Sequence, residues 1–324
     1  MASALDDLIH RADLNELVRH VDATCSSSDW DHLVRIRDSA RSAVSTGRQL
    51  WPIATLANYR LALWAPPEYA VRALDDTART FMPGPVSEII AVHHRWSDLE
   101  EHLARGHDRS LVAYERALRG DEIEQNEDPI LEIPIEPQPW EPLYELATYT
   151  DDGVDFPAPD LPRPIELQDA EEAVIIDDPD TVGAFRRLVE PWTAQSNGQA
   201  TAVVTEGLIS EALGALGLQQ ARVAPLTAQE GLSFLAWAGA SGGAYGKRRG
   251  VASGRSEAWW FLASFTGMLD DWPCNPQEFG EIVTSLQFST FDDGLDNAGW
   301  SIRLIIEDPQ EGLVVAVRAT DSAD

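Results

Sequence analysis

Lysine is almost missing from this chain. Lys247 is the single lysine among 324 residues, and the remaining members of the 24-strong Lys+Arg set are arginines. Arginine in place of lysine, with abundant alanine and aspartate, is the usage expected of a GC-rich coding sequence. Cysteine is nearly absent too. Cys25 and Cys274 fall in different predicted domains and neither has a CxxC neighbour, which excludes a disulfide scaffold and a cysteine-built zinc site. No window approaches the roughly 18 uninterrupted apolar residues that a bilayer span requires. The opening Met-Ala-Ser-Ala-Leu-Asp-Asp carries no basic segment ahead of an apolar core, so a cytoplasmic protein with no membrane partner is expected.

Histidine is missing from the second half. All seven, His10, His20, His32, His93, His94, His102 and His107, precede residue 108. None has the His-Glu-x-x-His spacing of a zinc site, and a Ser-His-Asp or Cys-His set would have to draw on both halves. Gly239–Gly243 has the bare Gly-x-Ser-x-Gly spacing but follows an apolar helix and not a strand, so no nucleophile elbow appears; Gly-x-Gly-x-x-Gly is absent, and no Walker A is complete. These gaps leave no catalytic residue to name, and no metal or other cofactor is expected. Asp177, Asp178 and Asp180 follow a predicted strand, but capping of the next helix by Asp178 accounts for them. Asp292–Asn297 is only a loose relative of a calcium loop, without the twelve-residue spacing and terminal glutamate; a polar turn is the simpler reading.

What the chain has is acid. Asp+Glu number 54 against 24 Lys+Arg, a formal charge of −30. Such a surface repels phosphate backbones, so no direct nucleic-acid binding is expected. Three explanations compete: solubility or host adaptation, a docking surface for a basic partner, and mimicry of nucleic acid. At 44% hydrophobic residues, with 11 tryptophans, the chain can fill ordinary packed cores.

Residues 1–120 read as helix after helix, an all-helical bundle or solenoid-like repeat. Asp13 and the Ser26–Asp29 run supply caps, and a helix from about Trp51 to Trp64 is stopped by Pro66-Pro67. A further helix is expected through Tyr69, Val71, Leu74 and Phe81. Pro85 opens another carrying Val86, Ile89, Ile90, His93 and Trp96 at steps of three and four. The pattern Val-Arg-x-x-Asp recurs at Val18, Val34 and Val71, a hint of repeated helix pairs.

Residues 121–164 form an acidic, proline-rich strap or linker. Ile133, Ile135, Trp140 and Tyr144 lie among its prolines and acids, and a disordered linker seldom holds so many apolar groups. The strap is therefore expected to dock on a folded domain. Residues 165–324 read as an α/β domain. Ala173–Ile176 is a buried-strand candidate, Ala200–Val204 and Ala221–Leu226 are further strands, and helices lie between them. That order argues for a mixed, partly parallel sheet of about five strands. Thr227 and Glu230 form a capping box, and Ser301–Glu307 with Leu313–Thr320 make a closing antiparallel hairpin.

One stretch gathers the scarce positive charge. Residues 240–255 place Gly243, Tyr245, Gly246, Lys247, Arg248, Arg249 and Arg255 together, with further glycines at 242, 250 and 254. Glycines let backbone N–H groups approach a ligand, and arginine forks match phosphate or carboxylate. The cluster fits an anionic ligand or an acidic segment of a partner. The alternatives are internal pairing with Glu257, Asp270, Asp271 or the strap, and a small-residue face at Gly246, Gly250 and Gly254 where helices approach closely. The resulting expectation is a non-enzymatic adaptor or regulator with a protein partner, its basic loop binding that partner or a phosphate-bearing small molecule. An enzyme or sensor for a phosphorylated or nucleotide ligand, and a nucleic-acid mimic or toxin-neutralising protein, are the alternatives.

Overall fold

Side-chain caps set the first boundaries in the computed structural model, which describes residues 4–75, 81–123, 127–295 and 299–323. After α1 (Ala4–Arg11), the Asp13 carboxylate accepts the Glu16 N–H and opens α2 (Leu14–Ser26). Asp29 accepts the His32 N–H and opens α3 (Trp30–Ser45). Next come α4 (Trp51–Trp64), α5 (Pro67–Ala70), α6 (Val86–His93), α7 (Trp96–Leu99) and α8 (His107–Leu118). Among the described residues up to Gly120 there is no strand. Two expected helices are shorter than their apolar stripes. The one through Tyr69 is a single turn followed by a 3-10 turn at Val71–Ala73, and part of it, residues 76–80, lies outside the described residues. The stripe from Val86 to Trp96 breaks at His94, where the backbone is extended, because the Asp121 carboxylate accepts the Trp96 N–H at 2.6 Å and opens a new turn there. The Val-Arg-x-x-Asp copies fall in α2, α3 and the 3-10 turn, so they mark no repeated unit.

Contacts divide the chain into two compact units, Met1–Asp128 with Thr148–Asp155, and Pro129–Ala147 with Phe156–Asp324. In the first unit α4 is central, packed on α2, α3 and α6, with Leu17, Val21, Leu33, Ile36, Ile53 and Leu61 closed to solvent. Its hairpin, β1 (Thr148–Thr150) and β2 (Gly153–Asp155), is tied down by polar contacts. The Tyr59 hydroxyl donates to the Thr150 carbonyl at 2.6 Å, the Trp64 indole donates to Asp151 at 2.9 Å, and the Tyr149 hydroxyl donates to the buried Glu88 carboxylate.

The second unit begins with the strap. Ile133 and Tyr144 are buried, Ile135 and Trp140 are half-buried, and Leu143 stands out at 99% exposure. The Trp140 indole donates to the Pro276 carbonyl at 3.1 Å and packs tilted against Trp259 and edge-on against Phe279, with ring centroids 5.0 and 5.9 Å away. Limited proteolysis of the native protein is therefore expected to spare residues 131–147. Ready cleavage inside that stretch would mean that the strap is undocked in solution.

The rest of the unit comprises β3 (Glu166–Asp169), β4 (Ile175–Ile176), α9 (Pro179–Leu188), α10 (Glu190–Thr193), β5 (Gln199–Glu206), α11 (Ile209–Ala215), β6 (Gln220–Leu226), α12 (Ala228–Ala240), α13 (Val251–Phe265), α14 (Pro276–Ser285), β7 (Gln287–Asp292), β8 (Trp300–Asp308) and β9 (Leu313–Asp321). The strands form one sheet in the order β3-β6-β7-β8-β9-β5-β4, and every described pairing is antiparallel. The expected parallel pairing is thus corrected, and the reason is visible in the order. β5 and β6 do run in the same direction, four antiparallel steps apart. The meander β7-β8-β9 is inserted between them, so the β5-α11-β6 crossover joins strands that never touch. Seven strands replace the expected five. Ile175 and Val174 are more than half exposed at the edge, so the expected buried strand there is a two-residue edge strand.

Register alternation assigns the faces. Val223, Phe291, Ile305, Val314 and Ala316 pack under α11 on one side. Phe288 lies on the other, tight against Gly231 of α12. The protein therefore joins a helical region to a helix-plus-sheet region with one large antiparallel sheet.

Candidate anion-binding site

The basic stretch is divided by the start of α13 at Val251, which places Arg255 inside a helix. Its guanidinium is fully buried and points at the strap, donating to both Glu141 carboxylate oxygens at 2.7 Å and to the Pro134 carbonyl at 2.6 Å. Arg249 donates to Glu190 at 2.9 Å and to the Arg187 carbonyl at 2.9 Å, and lies 3.8 Å from Glu257. Arg248 lies over the Phe156 ring, 4.0 Å from its centroid. Lys247 and Tyr245 reach the surface. The Tyr245 hydroxyl donates to the Ala323 carbonyl at 2.7 Å, and the Lys247 N–H donates to Gln195 at 3.1 Å.

The glycines shape a turn that already holds an anion of its own. Gly243 sits at φ +66, and the next N–H, that of Ala244, donates to the Asp321 carboxylate at 2.6 Å. Gly246 lies so close to the Pro191 carbonyl that no Cβ would fit. The seven residues expected to form one site are therefore divided. Arg255 is joined to the strap, Arg249 and Arg248 lie against their own unit, and Gly243, Tyr245, Gly246 and Lys247 form the outer turn. The small-residue alternative holds at one position, Gly254, where α12 and α13 come together.

A second pair of arginines, not singled out by composition, is brought together by the last hairpin. Asp308 pairs with Leu313 across a four-residue turn, and this register places Arg303 directly opposite Arg318. β5 adds Thr201 opposite Arg318 and Gln199 opposite Thr320 on the same face. Gln199, Thr201, Leu295, Arg303, Arg318 and Thr320 line a pocket of about 160 Å3. Arg303 is its buried member, with a side chain 4% exposed, whereas Arg318 is 26% exposed. Arg303 Nη1 donates to the Ser301 hydroxyl at 2.8 Å and Nε lies 3.0 Å from Asp293 Oδ1. Its Nη2 is enclosed and has no hydrogen-bond partner among the described residues.

Among the described residues, Asp293 is the carboxylate shared by both guanidiniums, its side chain fully buried and 3.1 Å from Arg318 Nη1 through its other oxygen. Burial alone would raise its carboxyl, but the Leu295 N–H and the two arginines outweigh that and hold it below the ordinary range. It is therefore ionised there at neutral pH. Asp293 thus belongs to the arginine cluster, and residues 296 and 297 of the expected polar turn lie outside the described residues. Like charges directly opposite on neighbouring strands are destabilising, and among the described residues one carboxylate leaves the two guanidiniums with a net positive charge. The sequence signal was symmetry about the turn. Once residues 309–312 are taken as the hairpin loop, positions 303 and 318 must face each other.

Both basic features share one end of the sheet. Thr320 lines the arginine pocket, and Asp321, next along β9 and on the opposite face, holds the Gly243–Ala244 turn. Other cavities have different electrostatics. A cavity of about 390 Å3 in the helical unit contains Arg60 with Asp151 and Asp22, so its single guanidinium faces two carboxylates. A groove of about 530 Å3 at the other end of the sheet is lined by Glu166 and Glu307.

These features define a helical unit joined to an α+β unit whose antiparallel sheet ends in an arginine-lined pocket. The chain belongs to a family of unknown function, DUF6183, which matches residues 15–323 and so takes in both units. No curated protein and no solved structure matches it.

Proposed function

We propose that the protein is a non-enzymatic adaptor or regulator that recognises an anionic group on its partner at the sheet end bearing Arg303, Arg318 and Lys247. The observation that carries this reading is the enclosed Nη2 of Arg303, a charged donor with no partner among the described residues beside a second arginine. A buried cation without full pairing is costly, so an external anion is the natural complement. With a formal charge of −30, the remaining surface repels anions at long range. Recognition at this end is therefore short-range and selective, and the acidic surroundings favour partners that also carry basic segments.

Titration with peptides bearing phosphorylated or clustered acidic side chains, at low and high salt, tests the reading. Binding is expected, weaker in high salt, and weaker by at least about tenfold in the protein carrying both Lys247→Ala and Arg318→Ala. Equal affinity for the variant and the native protein, or no binding of any such peptide, would contradict it.

A further inference from the structure

We infer that the Arg303–Arg318 pocket is built to hold a single phosphoryl group. The inference rests on the reading above for the place of recognition and adds the chemistry of the ligand. Size gives the first argument. The pocket holds about 160 Å3, whereas cavities that enclose a whole small molecule run from roughly 300 to 1,000 Å3. It can therefore take a terminal group, and a nucleotide base with its sugar would remain outside.

The direction of the donors gives the second. Arg303 approaches from β8, Arg318 and Thr320 from β9, and Thr201 and Gln199 from β5. Donors arriving from three strands suit a tetrahedral acceptor with three outward oxygens. A planar carboxylate is satisfied by one arginine fork. The buried Arg303 forms the closed part of the pocket, and the exposed side chains of Gln199 and Thr201 form its rim. A phosphoryl group entering over that rim meets the Arg303 and Arg318 lining of the pocket.

Charge gives the third. Among the described residues, two guanidiniums and the Asp293 carboxylate leave one net positive charge, with Arg303 and Asp293 closed to solvent. Charge-assisted hydrogen bonds are strongest where water is excluded. Asp293 already spans the two arginines from one side and fixes their planes. The ligand then binds to a pair that is already oriented, with little side-chain entropy left to lose.

Calorimetric titration with inorganic phosphate, with O-phosphoserine as the monoester probe, and with chloride at matched ionic strength tests the assignment. Phosphate or phosphoserine is expected to bind where chloride does not, and saturation is expected to shift the Arg303 Nε–H resonance in an arginine-labelled 15N spectrum. Tighter binding of phosphate identifies the free ion as the ligand, and tighter binding of phosphoserine identifies a phosphoryl group carried by a larger molecule. Arg318→Ala is expected to weaken binding by ten- to a hundredfold, about 1.4–2.8 kcal/mol. Should Arg318→Ala fail to fold, Arg318→Gln provides the same comparison with the side-chain volume kept. An Arg303 resonance unmoved by both probes, or native affinity in the Arg318 variant, overturns the inference. If acidic peptides still bind through Lys247 and Arg318 while phosphate and phosphoserine do not, the phosphoryl assignment falls and the broader reading stands. If no anion binds at all, both fall together.

Discussion

Glu141→Ala is expected to destabilise the protein by about 3–5 kcal/mol, the usual consequence of removing one partner from a buried ion pair. Both side chains of the Glu141–Arg255 pair are 0% exposed. Glu141 also accepts hydrogen bonds from the Tyr144 hydroxyl, from the Trp259 indole at 3.2 Å and from the Gln138 N–H at 2.8 Å. Alanine would leave the guanidinium buried without its carboxylate and strip three further donors of their acceptor. The denaturant midpoint of the second unit reports the loss. A midpoint within experimental scatter of the native value would show that the strap contributes nothing to stability. Acid should reproduce the effect in part. Burial would raise the Glu141 carboxyl, but the hydrogen bonds and charge of Arg255, with Tyr144 and Gln138, hold it below its ordinary value of 4.5. A group depressed in the folded state gives stability that is whole above its unfolded value and is lost as pH falls through its folded one. The strap's contribution should therefore persist at neutral pH and begin to fall below pH 4.5.

Gly254→Ala is expected to destabilise the second unit by about 2 kcal/mol. A Cβ at this position would lie 2.6 Å from Ala240 N and 2.7 Å from Ala240 Cβ, and closer still to the Ala236 carbonyl oxygen. Two of these three atoms are backbone and cannot rotate away, so α12 and α13 must separate. Overpacking of this kind costs about 1–3 kcal/mol and at times more, against the ~1 kcal/mol by which alanine exceeds glycine as a helix former. The sign of the net effect is the test. An unchanged or raised melting temperature in Gly254→Ala would mean that the two helices part without cost.

Local chemistry made much of the fold legible. The caps at Asp13, Asp29, Asp178 and Thr227 act as their side chains suggest, and α4 spans the apolar stretch from Trp51 to Trp64. Sheet order was not legible, because the same β-α-β rhythm serves parallel neighbours and strands held apart by an inserted meander. The burial of β4 was also misread. Ile175 and Ile176 have the apolarity of a core strand, but their place at the edge is decided by pairing with β5, which composition does not encode. The basic loop was visible as a cluster, yet its partners were not. Arg255 meets a carboxylate 114 residues away, and the Gly243 turn holds Asp321 from the last strand. The arginine pair was the reverse case. Neither residue stands out alone, and only the hairpin register joins them.

The most direct test of the account is a crystal structure of the protein grown in phosphate, compared with one grown without it. The account predicts a tetrahedral anion in the pocket of Gln199, Thr201, Arg303, Arg318 and Thr320, within hydrogen-bond distance of Arg303 Nη2 and of Arg318. An empty pocket in saturating phosphate, with Nη2 of Arg303 bonded to another group of the protein, would contradict it.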